Sequence, residues 1–244
     1  MKLMTHIVAG YPTMEESEKI AMAMYESGVS FIEVQIPFSD PIADGPTIMK
    51  ANEISLQNGT TPRDCMEFIK RIKKKIKIPI LIMTYFNIPF NYGLEKFCED
   101  AKDAGVYGLI IPDMPIDEEK YEHYVSLCKK NNLHAIQVIS QISRPERLKA
   151  ISKVASGFVY CISSLGTTGT RSQLNPELEK YLENVKKYIK IPLAVGFGIS
   201  TKEQVELVGQ KAEIVVIGSK IINLYNETTT DKITAIRKFL KDIM

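Results

Sequence analysis

The chain has 244 residues, 45% of them hydrophobic, which is enough to bury one large core, and residues 1–244 are read as a single domain. Its 31 basic and 29 acidic residues leave a formal net charge of +2, so there is no electrostatic footprint for nucleic acid or an anionic membrane. Cys65, Cys98, Cys128 and Cys161 are scattered with no C-x-x-C pair, no apolar run reaches membrane-spanning length, and the first residues lead into a strand rather than a signal peptide; the expectation is a cytoplasmic protein with reduced thiols.

In chain order, residues 3–9 read as a first strand ended by Gly10-Tyr11-Pro12, and Thr13 with Glu16 forms a capping box for a helix that stops at Gly28. A second strand covers 30–35. After an acidic loop, a helix over 46–58 ends at Gly59, and Thr61-Pro62-Arg63-Asp64 starts another that runs into the Lys-rich stretch 70–75, a solvated helix end. A third strand, 78–85, precedes a loop and a helix over 94–104. The fourth strand, 107–111, ends at Pro112-Asp113-Met114-Pro115, and Asp117 opens a helix to about 131. Strand five (133–139), a helix (145–155), strand six (157–161), a Gly/Thr/Ser-rich loop (163–172) and a helix from Pro176 follow. Strands seven (191–195) and eight (213–217) and two helices (219–225, 231–243) complete the chain. Eight strands alternating with helices, without a linker, predict a (β/α)₈ TIM barrel rather than an open doubly wound sheet, with functional residues at the carboxyl ends of the strands.

Alternation on the second strand puts Phe31, Glu33 and Gln35 on one face and Ile32, Val34 and Ile36 on the other. If the second face packs on helices, Glu33 points into the barrel, where a carboxylate is costly unless paired, hydrogen-bonded or kept for chemistry. Pro37 and Pro41 stiffen the next loop so that Asp44 returns toward the strand end. The bland alternative is a Glu satisfied by its neighbours and an Asp closing a turn before Gly45. The loops after strands seven and eight, Gly196-Phe197-Gly198 and Gly218-Ser219-Lys220, suit a phosphate cradled by backbone N–H groups at a short helix. The loop 163–172 has too little apolar content to pack rigidly and suits a lid. Strands two to eight lack a lysine for Schiff-base chemistry, and His6, His123 and His134 fall on a first strand, a helix and a fifth strand, so no metal site is predicted; His6 and His134 are read as satisfied strand residues.

The run I-E-x-x-I-P-F-S-D-P-I-A-D-G-P, residues 32–46, resembles the signature of the tryptophan synthase α-subunit family of indole-3-glycerol-phosphate lyases. The resemblance implies retro-aldol cleavage of indole-3-glycerol phosphate to indole and glyceraldehyde 3-phosphate. It assigns Glu33 as the general acid/base and Asp44 as an ionised carboxylate accepting the indole N–H. It places Gly169, Gly198, Gly218 and Ser219 around the phosphate, and Tyr11, Met83, Tyr85, Val138, Tyr160 and Phe197 around the indole. Thr168 would bond Asp44 when the loop closes. No cofactor is implied on this chain; pyridoxal phosphate belongs to a partner β-subunit, in an α₂β₂ assembly that receives the indole. The partner-facing rim would include Pro37, Asp40, Asn87, Phe90 and Pro115, with Phe38 and Met114 exposed beside them. Three departures stand out: Gln35 in place of a glycine, Thr167 in place of a valine, and no short floor helix before strand one. Gln35 is expected to bond the Glu33 carboxylate or nearby backbone and to narrow the pocket. Alternatives are a stand-alone lyase, a weakly catalytic regulatory subunit, and another phosphate-binding barrel such as a sugar-phosphate epimerase.

Overall fold

In the computed structural model, which describes residues 1–162, 176–196 and 198–244, eight parallel strands close on themselves in sequential order. They are β1 (Lys2–Val8), β2 (Phe31–Gln35), β3 (Ile80–Met83), β4 (Gly108–Ile110), β5 (His134–Ile139), β6 (Val159–Ile162), β7 (Leu193–Gly196) and β8 (Ile214–Ile217). Every residue of β2 is buried, as a strand sandwiched between barrel interior and helices must be. Ile32, Val34 and Ile36 face outward into the layer shared with the helices, while Phe31, Leu81, Met83, Ile110, Phe158 and Val216 belong to a separate inner cluster.

Register decides what shares a layer inside. β1 pairs with β2 so that His6 lies opposite Glu33 and Val8 opposite Gln35, and β1 pairs with β8 so that Met4 lies opposite Val216. Two residues below Glu33, the floor is aromatic: Phe31 meets Phe158 edge-on at 5.7 Å and Tyr107 at 6.1 Å between ring centroids. The Lys2 ammonium sits 5.7 Å from the Phe31 centroid on the same side.

The helices depart from the sequence reading in four places. The expected helix over 117–131 is broken into a 3₁₀ turn (Ile116–Glu118) and two helices (Glu119–Glu122 and Tyr124–Lys130), with His123 left-handed at φ 56° between them. The Glu119 carboxylate explains the break, because it accepts the N–H groups of Val125 (2.6 Å) and Ser126 (3.0 Å) and so caps the second piece. Residues expected as a loop after β3 form the helix Asn87–Tyr92. A helix not anticipated, Lys202–Gly209, is opened by a complete capping box of Thr201 and Gln204. The Thr13 box is one-sided: Thr13 accepts the Glu16 N–H, but the Glu16 carboxylate turns to Lys19 and to the Tyr225 hydroxyl. Among the described residues no helix is long and apolar enough to cross a membrane.

Candidate active site

Glu33 reaches the barrel interior from β2, and the ladder to β1 sets His6 beside it, His6 Nδ1 lying 2.9 Å from Glu33 Oε1. Both side chains are buried, each about 5% exposed. The sequence reading of His6 as a satisfied strand residue is therefore only half right. Its Nε2 and the Glu33 Oε2 find no hydrogen-bond partner among the described residues. Burial works to lower the His6 pKa, but the hydrogen bond and charge of Glu33, with the charge of Asp44 behind them, raise it above the ordinary histidine value.

Asp44 is carried by the loop after β2, whose turn is closed by the Asp44 N–H donating to the Pro41 carbonyl at 2.9 Å. Gln35 does not bond Glu33, as had been expected; its Nε2 donates to Asp44 Oδ2 at 2.6 Å. The reason is geometric: Gln35 stands one interior layer higher than Glu33, at the level to which the loop returns. The loop is also tied from outside. Asn52 Oδ1 accepts the Phe38 N–H at 2.9 Å, the Tyr85 hydroxyl accepts the Ala43 N–H at 3.0 Å, and Phe38 stacks on Tyr85 with ring centroids 5.3 Å apart. Burial pushes the Asp44 carboxyl above its ordinary value, partly offset by the Gln35 hydrogen bond and the charge of His6.

These groups open on a cavity of about 260 Å³ at the carboxyl ends of the strands. Of the predicted residues, Glu33, Asp44, Met83, Val138, Tyr160, Gly198, Gly218 and Ser219 line it. Tyr11 and Tyr85 do not. Tyr11 packs with Val8, Ala51 and Ile222 and donates to Asn226 Oδ1 at 2.6 Å, while Tyr85 lies buried under the β2 loop and serves to hold it. Thr168, Gly169 and Phe197 lie outside the described residues. Sequence reasoning missed His6, Ile48, Ile110 and Val216 as lining residues. For His6 the signal was available, since strand alternation from Met4 turns it inward; for Ile48, in the first turn of the helix Pro46–Gln57, there was none.

At one end of the cavity Gly218 precedes the helix Ser219–Glu227 with no side-chain cap. A helix start of that kind offers unpaired N–H donors and a positive dipole end to an anion. Gly198 across from it has φ +70°, a left-handed conformation that suits glycine. On the rim, Asp40, Asn87 and Phe90 are exposed and Pro115 is half-buried. Pro37 and Met114 are buried and Phe38 is half-buried against Tyr85, so the loop uses them for its own packing rather than for an outward face. This corrects the expectation for Pro37, Phe38 and Met114.

A closed (β/α)₈ barrel with two carboxyl groups and a bare helix start around one cavity defines an acid–base enzyme for a small phosphorylated substrate. Residues 1–243 match the family described as tryptophan synthase alpha chain. The chain is 45% identical over 225 residues to the tryptophan synthase alpha chain of Desulfotalea psychrophila, covering 92% of this chain and 88% of that one. It is 38% identical over 244 residues to that of Petrotoga mobilis, covering 99% and 94%. A structure of Mycobacterium tuberculosis tryptophan synthase shares the fold with a TM-score of 0.90 at 31% identity, over 99% of this chain and 90% of that one. The chain belongs to the tryptophan synthase alpha chain family, lyases of tryptophan biosynthesis that cleave indole-3-glycerol phosphate. The family carries no cofactor of its own and works with a β-subunit, to which pyridoxal phosphate belongs.

Proposed function

We propose that Glu33 and Asp44 carry the cleavage in this chain. The observation that supports this is one cavity lined both by the two carboxyl groups and by Gly198, Gly218 and Ser219. The phosphate sits at the start of the Ser219–Glu227 helix. The indole ring lies between Met83, Val138 and Tyr160. Glu33 protonates the ring carbon that carries the glycerol chain, and Asp44, in its ionised form, accepts the indole N–H and stabilises the positive charge spreading over the ring. Glu33 then takes the proton of the adjacent glycerol hydroxyl. A C=O bond forms there, the carbon–carbon bond breaks, and its electron pair returns to the ring, giving indole and glyceraldehyde 3-phosphate. The raised Asp44 carboxyl still has to ionise to do this, and the Gln35 amide and the charge of His6 favour that form.

In the assembly, an α₂β₂ complex, the β-subunit docks on the rim at Asp40, Asn87, Phe90 and Pro115, of which Phe90 is 59% exposed, and takes up the indole. A cytoplasmic setting fits four free, buried cysteines. The test is steady-state indole release from indole-3-glycerol phosphate, with and without the cognate β-subunit. Release that rises on mixing supports both parts of the reading. Absence of release in either condition refutes the lyase assignment of this cavity, and co-elution failure refutes the docking.

A further inference from the structure

We propose that His6 is a positioning residue for Glu33 that shares its titrating proton, so that the two side chains work as a single acid–base unit in the cleavage. The inference rests on the reading of Glu33 given above. Its support is geometric. The β1–β2 register places the two residues opposite each other in one interior layer, and the 2.9 Å contact between Nδ1 and Oε1 fixes one oxygen of the carboxyl group. Both side chains line the cavity, both are buried, and the outer atom of each, His6 Nε2 and Glu33 Oε2, has no partner among the described residues. An unpaired buried polar atom is costly, so two in contact with one cavity point to a ligand rather than to packing.

The chemistry explains why the pair is useful. One carboxyl has to give a proton and then take one. Alone in water a glutamate titrates near about 4.3 and holds almost no proton at neutral pH, so acid is scarce when it is needed. The imidazole beside it inside the barrel holds its own proton above the ordinary histidine value, because losing that proton would leave the buried carboxylate without its counter-charge. Other groups facing His6 act in the same sense or are neutral: Asp44 from the β2 loop adds negative charge, Gln35 is an uncharged amide bonded to Asp44, and Gly218 just after β8, where a β-carbon would lie 3.5 Å from His6 Cβ, brings no charge. Tyr160 from β6 is kept protonated by burial and by the charges of Glu33 and Asp44. Proton balance is closed within the cycle. The shared proton passes from Glu33 to the ring carbon and leaves the pair as a neutral imidazole and a carboxylate, and the glycerol hydroxyl returns a proton to Glu33 as the carbon–carbon bond breaks, which restores the shared proton.

The experiment is kcat against pH for the native chain, His6→Phe and His6→Asn, each with the β-subunit. With the shared proton lost, the alkaline limb of kcat moves acidward by about one pH unit or more in both variants. His6→Asn keeps a donor near Nδ1 and recovers part of the plateau kcat that His6→Phe loses, but not the limb. Limbs that stay at the native pH, with kcat merely lowered, overturn the proposal and leave His6 a packing residue. A second measurement does not depend on turnover: the His6 ring is titrated by NMR in the native chain and in Glu33→Gln. The titration falls to lower pH in Glu33→Gln if the pair exists, and an unchanged titration refutes it. A native chain that releases no indole refutes the lyase reading alone, and the NMR titration still decides whether the pair is real.

Discussion

The floor and the mouth of this barrel are made by the same strands a few residues apart, and they are opposite kinds of interior. At the floor, Phe31 packs edge-on against Phe158 and Tyr107 in one cluster with Met4, and none of these residues leaves a buried polar side-chain atom without a partner. At the mouth, His6, Glu33 and Gln35 occupy the equivalent inward positions, and each leaves one buried polar atom without a partner among the described residues. The mouth therefore forgoes stability, and the floor supplies it: the unsatisfied atoms can be held in place because close packing below fixes the strands that present them. In this barrel, stability and reactivity are separated along the axis rather than shared by each layer.

Exchanging what one side chain does at each end breaks or sharpens that separation. The largest effect belongs to Glu33→Gln, which lowers indole release about 10³-fold in the purified complex while the thermal midpoint stays within a few degrees of native. Turnover at the native rate in that sample would remove Glu33 from the chemistry. Phe158→Ala at the floor behaves in the converse way, destabilising the chain by about 3–5 kcal/mol in urea melts with kcat per folded molecule close to native. Were kcat to collapse together with stability, floor and mouth would not be separable. A smaller change is expected for Gln35→Gly, which removes the 2.6 Å contact to Asp44, allows the Asp44 carboxyl to move further above its ordinary value and lowers kcat about tenfold. An unchanged rate would make the amide a spectator.

A pH effect on stability is smaller still and has a definite sign. His6 carries a raised pKa in the folded chain, so its stabilising share is fully present below the ordinary value of 6.5 and is lost as pH rises through the raised value. The difference in thermal midpoint between native and His6→Phe should therefore shift against the native chain on going from acidic to alkaline buffer. A shift in the other direction would mean that burial, not Glu33, sets the histidine's titration. The smallest effect is assigned to Asp40→Ala on the exposed rim, which should blunt the rise in turnover that the β-subunit brings.

The barrel was legible because hydrophobic strands and capped helices alternate eight times, and each strand found in the structure falls within a residue or two of its predicted core. Strand parity and two stiffening prolines put Glu33 and Asp44 near the end of β2 without knowledge of any other strand, and the resemblance of residues 32–46 to the family signature is what singled them out from a merely structural pair. What was not legible depends on pairing between distant segments. Nothing within residues 2–8 says that His6 lies against Glu33; the register of β1 on β2 does. Gln35 was assigned to the wrong carboxylate because the height to which the β2 loop returns is set by Asn52 and Tyr85, which lie 17 and 50 residues beyond it in sequence. Pro37 and Met114 sit in loops at the mouth yet turn inward, and sequence position on a loop does not distinguish a rim from the packing beneath it.

Gly196 at the end of β7 has a consequence for which molecules the enzyme accepts. A β-carbon at that position would come within 2.6 Å of the Tyr160 hydroxyl and 3.0 Å of Val216 Cβ, so the absence of one methyl group is what leaves room for the hydroxyl end of Tyr160 beside β7. On the proposed placement of the indole beside Tyr160, the width of the cavity there is gauged by a single hydrogen atom. Substrates bearing a substituent on the benzo ring are the natural calipers: trimming Tyr160 to Phe should admit larger substituents, and Gly196→Ala, by forcing the tyrosine inward, should narrow the range to the smallest.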